Sequence, residues 1–382
     1  MTSQVVENKK LLVLLIDGFR WDYFNIPGLQ LPGFSRLFEQ GVKADYMIPD
    51  FPTLSFPNFY SLMTGLHTED HGFVGNYMYH EEKQSSFEYK MVNLESNQSH
   101  WKKRTYMFEW PGCHVPVHNM TSTFCDKMNE WPMVPQTVNN LKKAVDLLKT
   151  DKIDFAGVYL NAVDRWGHSY GPNSKEVFDI VKQTDEAIQE MLLLLKTYNL
   201  EKNTNVVIFS DHGMTEISES RTIDISDHIG SVDVIAVEDK GAVCSIWPRE
   251  GKIDKVYTGL TSMGNSHIKV FKKETLPDRW HYRNNKLVAP IIVVADLGWY
   301  ILTPGGPSID KYMNGPAKGY HGYDNAEEDM HGIFLAMGPD FKKNYKTGPV
   351  RAVDIYQVMC KALKIQPLPH KGDWSRLKDI FK

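Results

Sequence analysis

Three apolar runs, each followed closely by polar side chains, constrain the fold of this chain most strongly. The runs span 11–16, 154–160 and 205–209, and the polar residues that follow them are Asp17, Asn161, Asp164, Asp211 and His212. Short continuous apolar runs of this kind are typical of strands buried on both faces of a parallel sheet. Ligands of such sheets bind beyond the carboxyl ends of the strands, so we expect these side chains to form a site.

The segments between and after these runs predict an α/β fold. Residues 174–198 carry apolar side chains at the spacing of an amphipathic helix, which places a helix between the second and third strands. The resulting architecture is a mostly parallel central sheet with helices on both faces. Stretches 232–248, 267–273 and 287–302 predict a small peripheral β lobe, and 354–363 a late helix.

Length and composition are those of a folded enzyme-sized chain. The 382 residues are 42% hydrophobic, enough for a large core, and we expect one catalytic domain over 11–382. The polar segment 1–10 is expected to be disordered, and neither a signal peptide nor a membrane span is visible. The net charge of -4, without a long basic run, argues against nucleic acid as a partner.

One irregular segment carries signs of an exported protein. Cys113 and Cys125 lie twelve residues apart in a stretch rich in Pro, Asn, Thr and His, where a disulfide would stabilise an otherwise loose segment. Two glycosylation sequons begin at Asn97 and Asn119. We therefore expect an extracellular or cell-surface protein. The pairing of Cys244 with Cys360 stays open, as does the oligomeric state.

Six acidic and histidine side chains have the chemistry of a two-metal phosphoryl-transfer site, which needs about six such ligands. They lie at strand ends or beside glycines, and they are Asp17, Asp164, His168, Asp211, His212 and His321. A similar sequence, Ser226-Asp227-His228, has no apolar run before it. We therefore exclude it as a ligand pair.

A nucleophile is expected in the stretch 51–60, ahead of a helix-like run at 60–65. Ser55 could cap that helix, but a hydroxyl near a helix start also suits attack on a phosphate, because the helix amides favour the anion. Thr53 is an alternative from the residues alone, since in an extended stretch it shares a face with Ser55.

Together these motifs resemble the nucleotide pyrophosphatase/phosphodiesterase family of the alkaline phosphatase superfamily, over nearly the whole chain. The resemblance implies an alkaline-phosphatase-like α/β fold and two zinc ions. One zinc would be held by Asp17, Ser55, Asp211 and His212, and the other by Asp164, His168 and His321. Ser55 matches the family nucleophile, usually threonine, and would be phosphorylated transiently. Asn76, in Gly-Asn-Tyr-Met, matches the asparagine that stabilises the developing oxyanion.

Within the family, Ser55 and the stretch Tyr-Met-Phe-Glu-Trp-Pro-Gly-Cys at 106–113 most resemble members that hydrolyse choline phosphodiesters. That resemblance implies glycerophosphocholine or lysophosphatidylcholine as substrate and phosphocholine as product. It also allows peripheral association of the protein with membranes. Aromatic faces bind quaternary ammonium groups. The expected substrate-binding aromatics are Tyr159, Trp110 and Tyr77.

Two alternatives remain open at this point. The first is hydrolysis of nucleotides, with the base stacked on aromatics near Tyr159. The second is an inactive binding protein, because the region 97–104 is shorter than in most family members. The acidic partner for choline is also open, with Asp126 and Glu130 as nearby candidates.

Overall fold

The computed structural model describes residues 9–88, 103–114, 122–126, 133–264 and 266–382. Its largest element is an eight-stranded sheet in which all strands but one run parallel. In spatial order the strands are Tyr345–Thr347, Gly41–Ala44, Phe334–Met337, Thr204–Phe209, Lys10–Ile16, Phe155–Leu160, Thr105–Phe108 and Phe124–Asp126. The antiparallel strand is Phe334–Met337. The expected mostly parallel sheet is confirmed.

The central strand Lys10–Ile16 shows why the sheet is covered on both faces. All seven of its residues are buried. Successive side chains of a strand point to opposite faces. Accordingly, Leu11, Val13 and Leu15 belong to one hydrophobic core, whereas Leu12, Leu14 and Ile16 belong to another.

Helices pack on both of these cores. The α-helices are α1 (Pro32–Glu39), α2 (Ser55–Thr64), α3 (Thr68–His71), α4 (Val134–Lys149), α5 (Ala162–Tyr170), α6 (Lys175–Thr197), α7 (Ile253–Thr261) and α8 (Ile355–Ala362). Buried residues of α2 and α8 join the first core, and those of α1, α4 and α6 join the second. Helix α6 confirms the helix expected at 174–198, and Ser174 caps it by accepting a hydrogen bond from the Val177 N–H.

A smaller antiparallel sheet forms the expected peripheral lobe. Its strands, in spatial order, are Val234–Glu238, Val243–Pro248, Ile291–Ala295 and Ile268–Lys272. Val243, Trp247 and Ile292 extend the first core, so the lobe packs on the same side of the central sheet as α2. A third core lies within the lobe and the loops that follow it.

Five two-stranded pairs account for the remaining β structure of the described ranges. They are Tyr77–His80 with Ser85–Glu88, Val350–Arg351 with Met47–Ile48, Thr215–Glu216 with Gly319–Tyr320, Thr222–Asp224 with Tyr300–Leu302, and Lys311–Tyr312 with Gly315–Pro316. Several of these pairs border the carboxyl ends of the parallel strands, and they carry the loops that surround the site described below.

Other expectations can be compared directly with the structure. Cys113 and Cys125 form the predicted disulfide, whereas Cys244 and Cys360 are free and buried. The first strand begins at Lys10. Residues 1–8 of the segment expected to be disordered lie outside the described residues. Both sequons and Glu130 lie outside the described residues, as does most of 97–104. No helix in the described ranges is long and apolar enough to cross a membrane.

Candidate active site

The predicted acidic and histidine side chains meet at the carboxyl edge of the central sheet. Asp17 directly follows the central strand, and Asp211 and His212 follow the strand Thr204–Phe209. Asp164 and His168 lie four residues apart on α5, which follows the strand Phe155–Leu160, so both face the same way. His321 directly follows the short strand Gly319–Tyr320.

Ligand atoms of these residues fall into two overlapping groups. Atoms of Asp164, His168 and His321 lie within 4.8 Å of one another, and so do atoms of Asp17, Asp164 and His212. Nε2 of His212 is also 3.2 Å from an oxygen of Asp211. Asp164 belongs to both groups and therefore lies between them. All six side chains are buried, and the structure brings together the whole predicted set.

Each histidine is oriented by a backbone carbonyl. Nδ1 of His168 donates to the carbonyl oxygen of Gly319 at 2.8 Å, and Nδ1 of His212 donates to that of Gly213 at 2.8 Å. Nδ1 of His321 donates to the carbonyl oxygen of Thr53 at 2.9 Å. With Nδ1 protonated in this way, each ring presents an unprotonated Nε2 to the site, the arrangement that metal-binding histidines adopt.

In both Asp17 and Asp211, one carboxylate oxygen accepts hydrogen bonds and the other has no hydrogen-bond donor. Oδ2 of Asp17 accepts hydrogen bonds from the hydroxyl of Tyr159 and from the amide of Asn161, and Oδ1 of Asp211 accepts one from the Gly18 N–H. Three buried carboxylate oxygens accept no hydrogen bond within the described residues: Oδ1 of Asp17, Oδ1 of Asp164 and Oδ2 of Asp211. Buried acceptors without donors are costly, so these oxygens require a positive partner.

The backbone around Asp17 leaves no room for a side chain at the next position. Gly18 has a φ of 67°. A Cβ atom there would lie 2.8 Å from the Cα of Asp164. Glycine is required at this turn because the chain approaches α5 closely in a left-handed conformation.

Crowding of charge perturbs the pKa of every carboxyl group in the cluster. Burial raises the pKa of Asp17 to about 8, with a further contribution from Asp164. Burial, together with Asp17 and Asp164, raises the pKa of Asp211 well above its usual value. Burial opposes ionisation of Asp164 too, but the neighbouring histidines outweigh it and lower its pKa. A bound cation would allow all three groups to ionise together.

These observations fit a metal site. The donor set combines carboxylate oxygens with imidazole nitrogens whose free lone pairs converge, and three of the oxygens lack any other partner. Such donors suit divalent transition metals. The residues present therefore fit the metal that the sequence predicts.

Ser55 is the first residue of α2, and its hydroxyl points into this cluster. Its Oγ is 3.1 Å from Nε2 of His212. In a Ser-His-Asp relay the acid contacts Nδ1 of the histidine. Here Asp17 and Asp211 instead approach the same Nε2 as the serine, at 3.4 and 3.2 Å. The geometry thus resembles a shared cation site next to a hydroxyl and differs from a catalytic triad.

Thr53 has a different role. It is fully buried, its hydroxyl donates to the carbonyl of Tyr323 and accepts from the Gly322 N–H, and its own carbonyl orients His321. A hydroxyl committed to two backbone groups is not available for attack. Of the two candidate nucleophiles, Ser55 alone faces the cluster.

Asn76 lies beside Ser55. Its side-chain oxygen accepts a hydrogen bond from the Phe56 N–H at 3.1 Å. The amide nitrogen of Asn76 therefore remains as a donor for a substrate oxygen, the function expected of an oxyanion-stabilising group.

A cavity of about 470 Å³ opens over the cluster. Besides the ligands, it is lined by residues that include Ser55, Phe56, Phe59, Asn76, Tyr77, Tyr159, Asn161, Arg165, Asp310, Lys311, Tyr312, Met313 and Tyr320. Tyr77 is 40% exposed, whereas Tyr159 is fully buried and uses its hydroxyl to hold Asp17. Both predicted residues therefore border the cavity, with Tyr159 contributing mainly to the cluster.

Two residues that the sequence suggested for the substrate pocket do not line the cavity. Trp110 is 2% exposed, lies in the core against Gly157 and does not line the cavity, so its ring cannot contact a ligand there. Asp126 accepts a hydrogen bond from the Tyr106 hydroxyl and pairs with Lys143, away from the cavity. The excluded pair Asp227 and His228 takes no part in either ligand group.

The sequence did not single out two cations in the cavity wall. Arg165 follows Asp164 on α5, and Lys311 lies in a loop pair between the lobe and His321. Both line the cavity. The position of Arg165 beside a ligand in the sequence was a usable signal, whereas Lys311 lies in no motif.

Comparison with known proteins places this site in a family. The sequence model of the type I phosphodiesterase/nucleotide pyrophosphatase family matches residues 11–324. The chain belongs to this family. The family match supports hydrolysis of phosphodiesters as its activity. The chain has the alkaline-phosphatase-like α/β fold that the sequence predicted.

Individual members are similar over almost the whole chain. Human ectonucleotide pyrophosphatase/phosphodiesterase family member 5 is 34% identical over 98% of this chain and 78% of its own length. Human bis(5'-adenosyl)-triphosphatase is 33% identical over 97% of this chain and 82% of its own length.

Solved structures of the family agree with the fold. Human ectonucleotide pyrophosphatase/phosphodiesterase 5 superposes with a TM-score of 0.88 at 33% identity, covering 98% of this chain and all of that one. An inactive variant of the murine protein, in complex with AMP, gives a TM-score of 0.86 at 32% identity, with the same coverage.

Proposed function

We propose that this protein is a zinc-dependent nucleotide phosphodiesterase or pyrophosphatase that uses Ser55 as its nucleophile. The observation that carries the proposal is the convergence of six buried metal-binding side chains around the Ser55 hydroxyl.

Two zinc ions fit the donor set. Asp17, Asp211 and His212 would hold one, next to Ser55, and Asp164, His168 and His321 would hold the other. When bound, the zinc ions supply positive charge that lowers the pKa of the serine hydroxyl and neutralises the phosphoryl oxygens.

The protein's own groups then account for the reaction. Ser55 Oγ loses its proton to solvent and attacks phosphorus, the bond from phosphorus to the leaving oxygen breaks on the opposite side, and the leaving oxygen takes up a proton. The intermediate is a nucleotidylated serine, in which Ser55 Oγ is bonded to the phosphorus that still carries the nucleoside. Asn76 donates its amide N–H to a non-bridging oxygen, where negative charge builds up. Water then attacks this phosphorus, the bond to Ser55 Oγ breaks, and the nucleoside monophosphate is released.

The charge of the cavity wall supports a polyanionic substrate. Arg165 and Lys311 line the cavity. Among its described lining residues, the one carboxylate outside the metal ligands is Asp310, which pairs with Lys240 at 2.8 Å and accepts a hydrogen bond from the Tyr300 hydroxyl. A choline headgroup would therefore meet cations and no free carboxylate, whereas added phosphates would be attracted.

The relatives support the same substrate class. One similar enzyme bears the name bis(5'-adenosyl)-triphosphatase, and a similar structure was solved in complex with AMP. Exposed Tyr77, with Phe56 and Tyr312, offers aromatic surface in the cavity for a nucleobase. The choline specificity expected from the sequence has no comparable support.

The disulfide supports a proposal about the cellular compartment in which the protein works. Cys113 and Cys125 are bonded. Because disulfides persist in oxidising compartments, we propose that the protein works outside the cell or at the cell surface.

Turnover of matched chromogenic esters tests the substrate. The zinc-loaded protein is assayed with the p-nitrophenyl ester of thymidine 5'-monophosphate and with p-nitrophenyl phosphorylcholine. We expect kcat/KM to be at least about tenfold higher for the nucleotide ester, a difference of about 1.4 kcal/mol. A higher value for the choline ester would overturn the nucleotide assignment while leaving the phosphodiesterase assignment intact.

A metal measurement separates an enzyme from an inactive binding protein. We expect about two equivalents of zinc per chain, and hydrolysis of either ester to cease on chelation and return on adding zinc. Zinc at two equivalents with no turnover of either ester, or of diadenosine triphosphate, would favour the binding protein.

A further inference from the structure

The loop that carries Asn76 lies between the central sheet and the peripheral lobe. Asn76 is half-buried and precedes the strand Tyr77–His80. One side of the loop contacts the nucleophile helix, because the Asn76 oxygen accepts the Phe56 N–H. The other side faces the lobe, where Asp239 follows the strand Val234–Glu238.

Asp239 has an unusual backbone conformation that directs its carboxylate to this loop. Its φ is 55°, in the left-handed region that residues other than glycine seldom occupy. Its carboxylate accepts hydrogen bonds from the backbone N–H groups of Asn76 and Tyr77. Two successive N–H groups on one carboxylate fix both its position and that of the donating loop.

Gly75 makes this contact possible. A Cβ atom at Gly75 would lie only 2.3 Å from Oδ2 of Asp239. Any side chain at that position would therefore push the carboxylate away from the two N–H groups. Glycine at 75 and aspartate at 239 form a matched pair, although they are far apart in the sequence.

Within the described part of the chain, no lysine or arginine contributes to the pKa of the Asp239 carboxyl group. Burial and the adjacent Glu238 raise its pKa well above the usual value, and the two backbone N–H groups act in the opposite direction. Lys240, the next residue, pairs instead with Asp310. The contact to the Asn76 loop is thus the main polar interaction of Asp239.

We propose that Asp239 is a positioning residue for the reaction: it holds the Asn76 loop against the nucleophile helix, so that the Asn76 amide stays within reach of the transferring phosphoryl group. This inference rests on the proposed function. It also makes the peripheral lobe a structural part of the active site, since the lobe supplies the group that fixes Asn76.

A double-mutant cycle tests the inference. Single variants Asp239→Ala and Asn76→Ala and the double variant are assayed with the p-nitrophenyl ester of thymidine 5'-monophosphate. We expect Asn76→Ala to lower kcat about 100-fold, as loss of an oxyanion donor does. We expect Asp239→Ala to lower kcat at least about tenfold with KM within about threefold, because misplacement of a catalytic group affects mainly the transition state. The double variant should be no slower than Asn76→Ala.

Further variants separate positioning from stability. Asp239→Asn keeps one acceptor oxygen and should retain more of kcat than Asp239→Ala. Gly75→Ala keeps the carboxylate but displaces it, so it should lower kcat as well. Asp233→Asn is the matched control, because Asp233 is another lobe carboxylate and pairs with Lys255 at 2.6 Å. It should leave kcat unchanged even if its melting temperature falls.

Three results would overturn the inference. The first is a double variant slowed by the product of the two single effects, since independent groups give additive free energies. The second is an Asp239→Ala effect no larger than that of Asp233→Asn. The third is an unchanged kcat in Asn76→Ala, which removes the group that Asp239 would position. Inactivity of Ser55→Ala would show that the proposed phosphodiesterase function survives any of these results.

Discussion

The floor and the wall of the cavity are built in different ways. At the floor, Asp17, Asp211 and His212 follow strands of the central sheet, whereas Asp164 and His168 lie on α5 and His321 follows a strand of a two-stranded pair. All six ligands are buried, and each histidine donates a hydrogen bond to a backbone carbonyl. At the wall, Tyr77 is 40% exposed, and Lys311 lies on a two-residue strand in a loop pair. The floor has one arrangement fixed by the fold, whereas the wall consists of side chains that can change without disturbing it.

This difference implies a division of work. Groups at the floor determine whether phosphoryl transfer occurs at all, and groups at the wall determine which ester enters. Substitutions at the floor should therefore change kcat by orders of magnitude, and those at the wall should change KM modestly. We expect the largest effect at the nucleophile and the smallest at the charged side chains of the wall.

Ser55→Ala should lower kcat/KM for nucleotide esters at least about 10⁴-fold, because loss of a nucleophile removes the covalent route. Ser55→Thr is the matched control, since it keeps a hydroxyl at the same position. We expect it to stay within about tenfold of the parent. Steady-state rates and trapping of the nucleotidylated chain by acid quench measure both. A nucleotidylated Ser55→Ala protein would show that another residue is the nucleophile.

Zinc removal should destabilise the floor and leave the wall intact. Free zinc at about 1,000 times its dissociation constant should stabilise the folded state by about 4 kcal/mol, because the buried carboxylates then have their counterion. Thermal unfolding with and without chelator measures this shift. Asp211→Asn should reduce the shift, whereas Lys311→Ala should not change it. An equal shift in Asp211→Asn would place the metal elsewhere.

Trp110→Ala should affect stability and not substrate choice. Removing a buried indole should cost about 3 kcal/mol of unfolding free energy, because a cavity remains in the core. The ratio of kcat/KM between the thymidine and choline esters should stay constant. Urea unfolding and the paired assay check both parts. A selective loss with the choline ester would restore Trp110 as a substrate contact.

The smallest effect is expected from the charges in the wall. Lys311→Ala and Arg165→Ala should each raise KM for diadenosine triphosphate about fivefold, roughly 1 kcal/mol, with kcat nearly unchanged. KM for the thymidine ester, which carries fewer charges, should change less. Salt titration provides a second measurement, since screening should weaken the parent more than the variants. Equal KM changes for both substrates would argue against a polyphosphate contact.

The floor was predictable from the sequence because local patterns determine it. Asp17 and Asp211 each follow an apolar run of the kind typical of a buried strand, and the parallel arrangement brings such ends together. The four-residue spacing of Asp164 and His168 predicts one helix face. Even the exclusion of Asp227 and His228 followed from a local pattern, the absence of an apolar run before them.

The nucleophile region was only partly predictable. Alternation in an extended chain would place Thr53 and Ser55 on one face. The helix begins at Ser55, however, so the period changes between the two residues and Thr53 turns into the protein. The position of a helix start is a tertiary property here, because no side chain caps α2.

The wall depends on contacts between distant parts of the chain. We expected Trp110 to contact the substrate because aromatic rings bind choline. The sequence does not show whether the Trp110 ring faces the cavity or packs into the core. Asp239 and Lys311 lie in no motif. Asp239 matters because the lobe lies close to Gly75, and Lys311 matters because its loop pair lies close to α5. No local sequence pattern predicts either contact.

The backbone anchors of the histidines have a consequence for how such an enzyme can diverge. The groups that receive the Nδ1 protons are peptide oxygens of Gly213, Gly319 and Thr53, and these persist whatever side chain a mutation installs. A substitution that leaves the backbone path unchanged cannot remove the acceptor of an Nδ1 proton. Each histidine therefore keeps the same tautomer. New specificities can thus be explored in the surrounding loops, generation after generation, while the reactive machinery stays in working order.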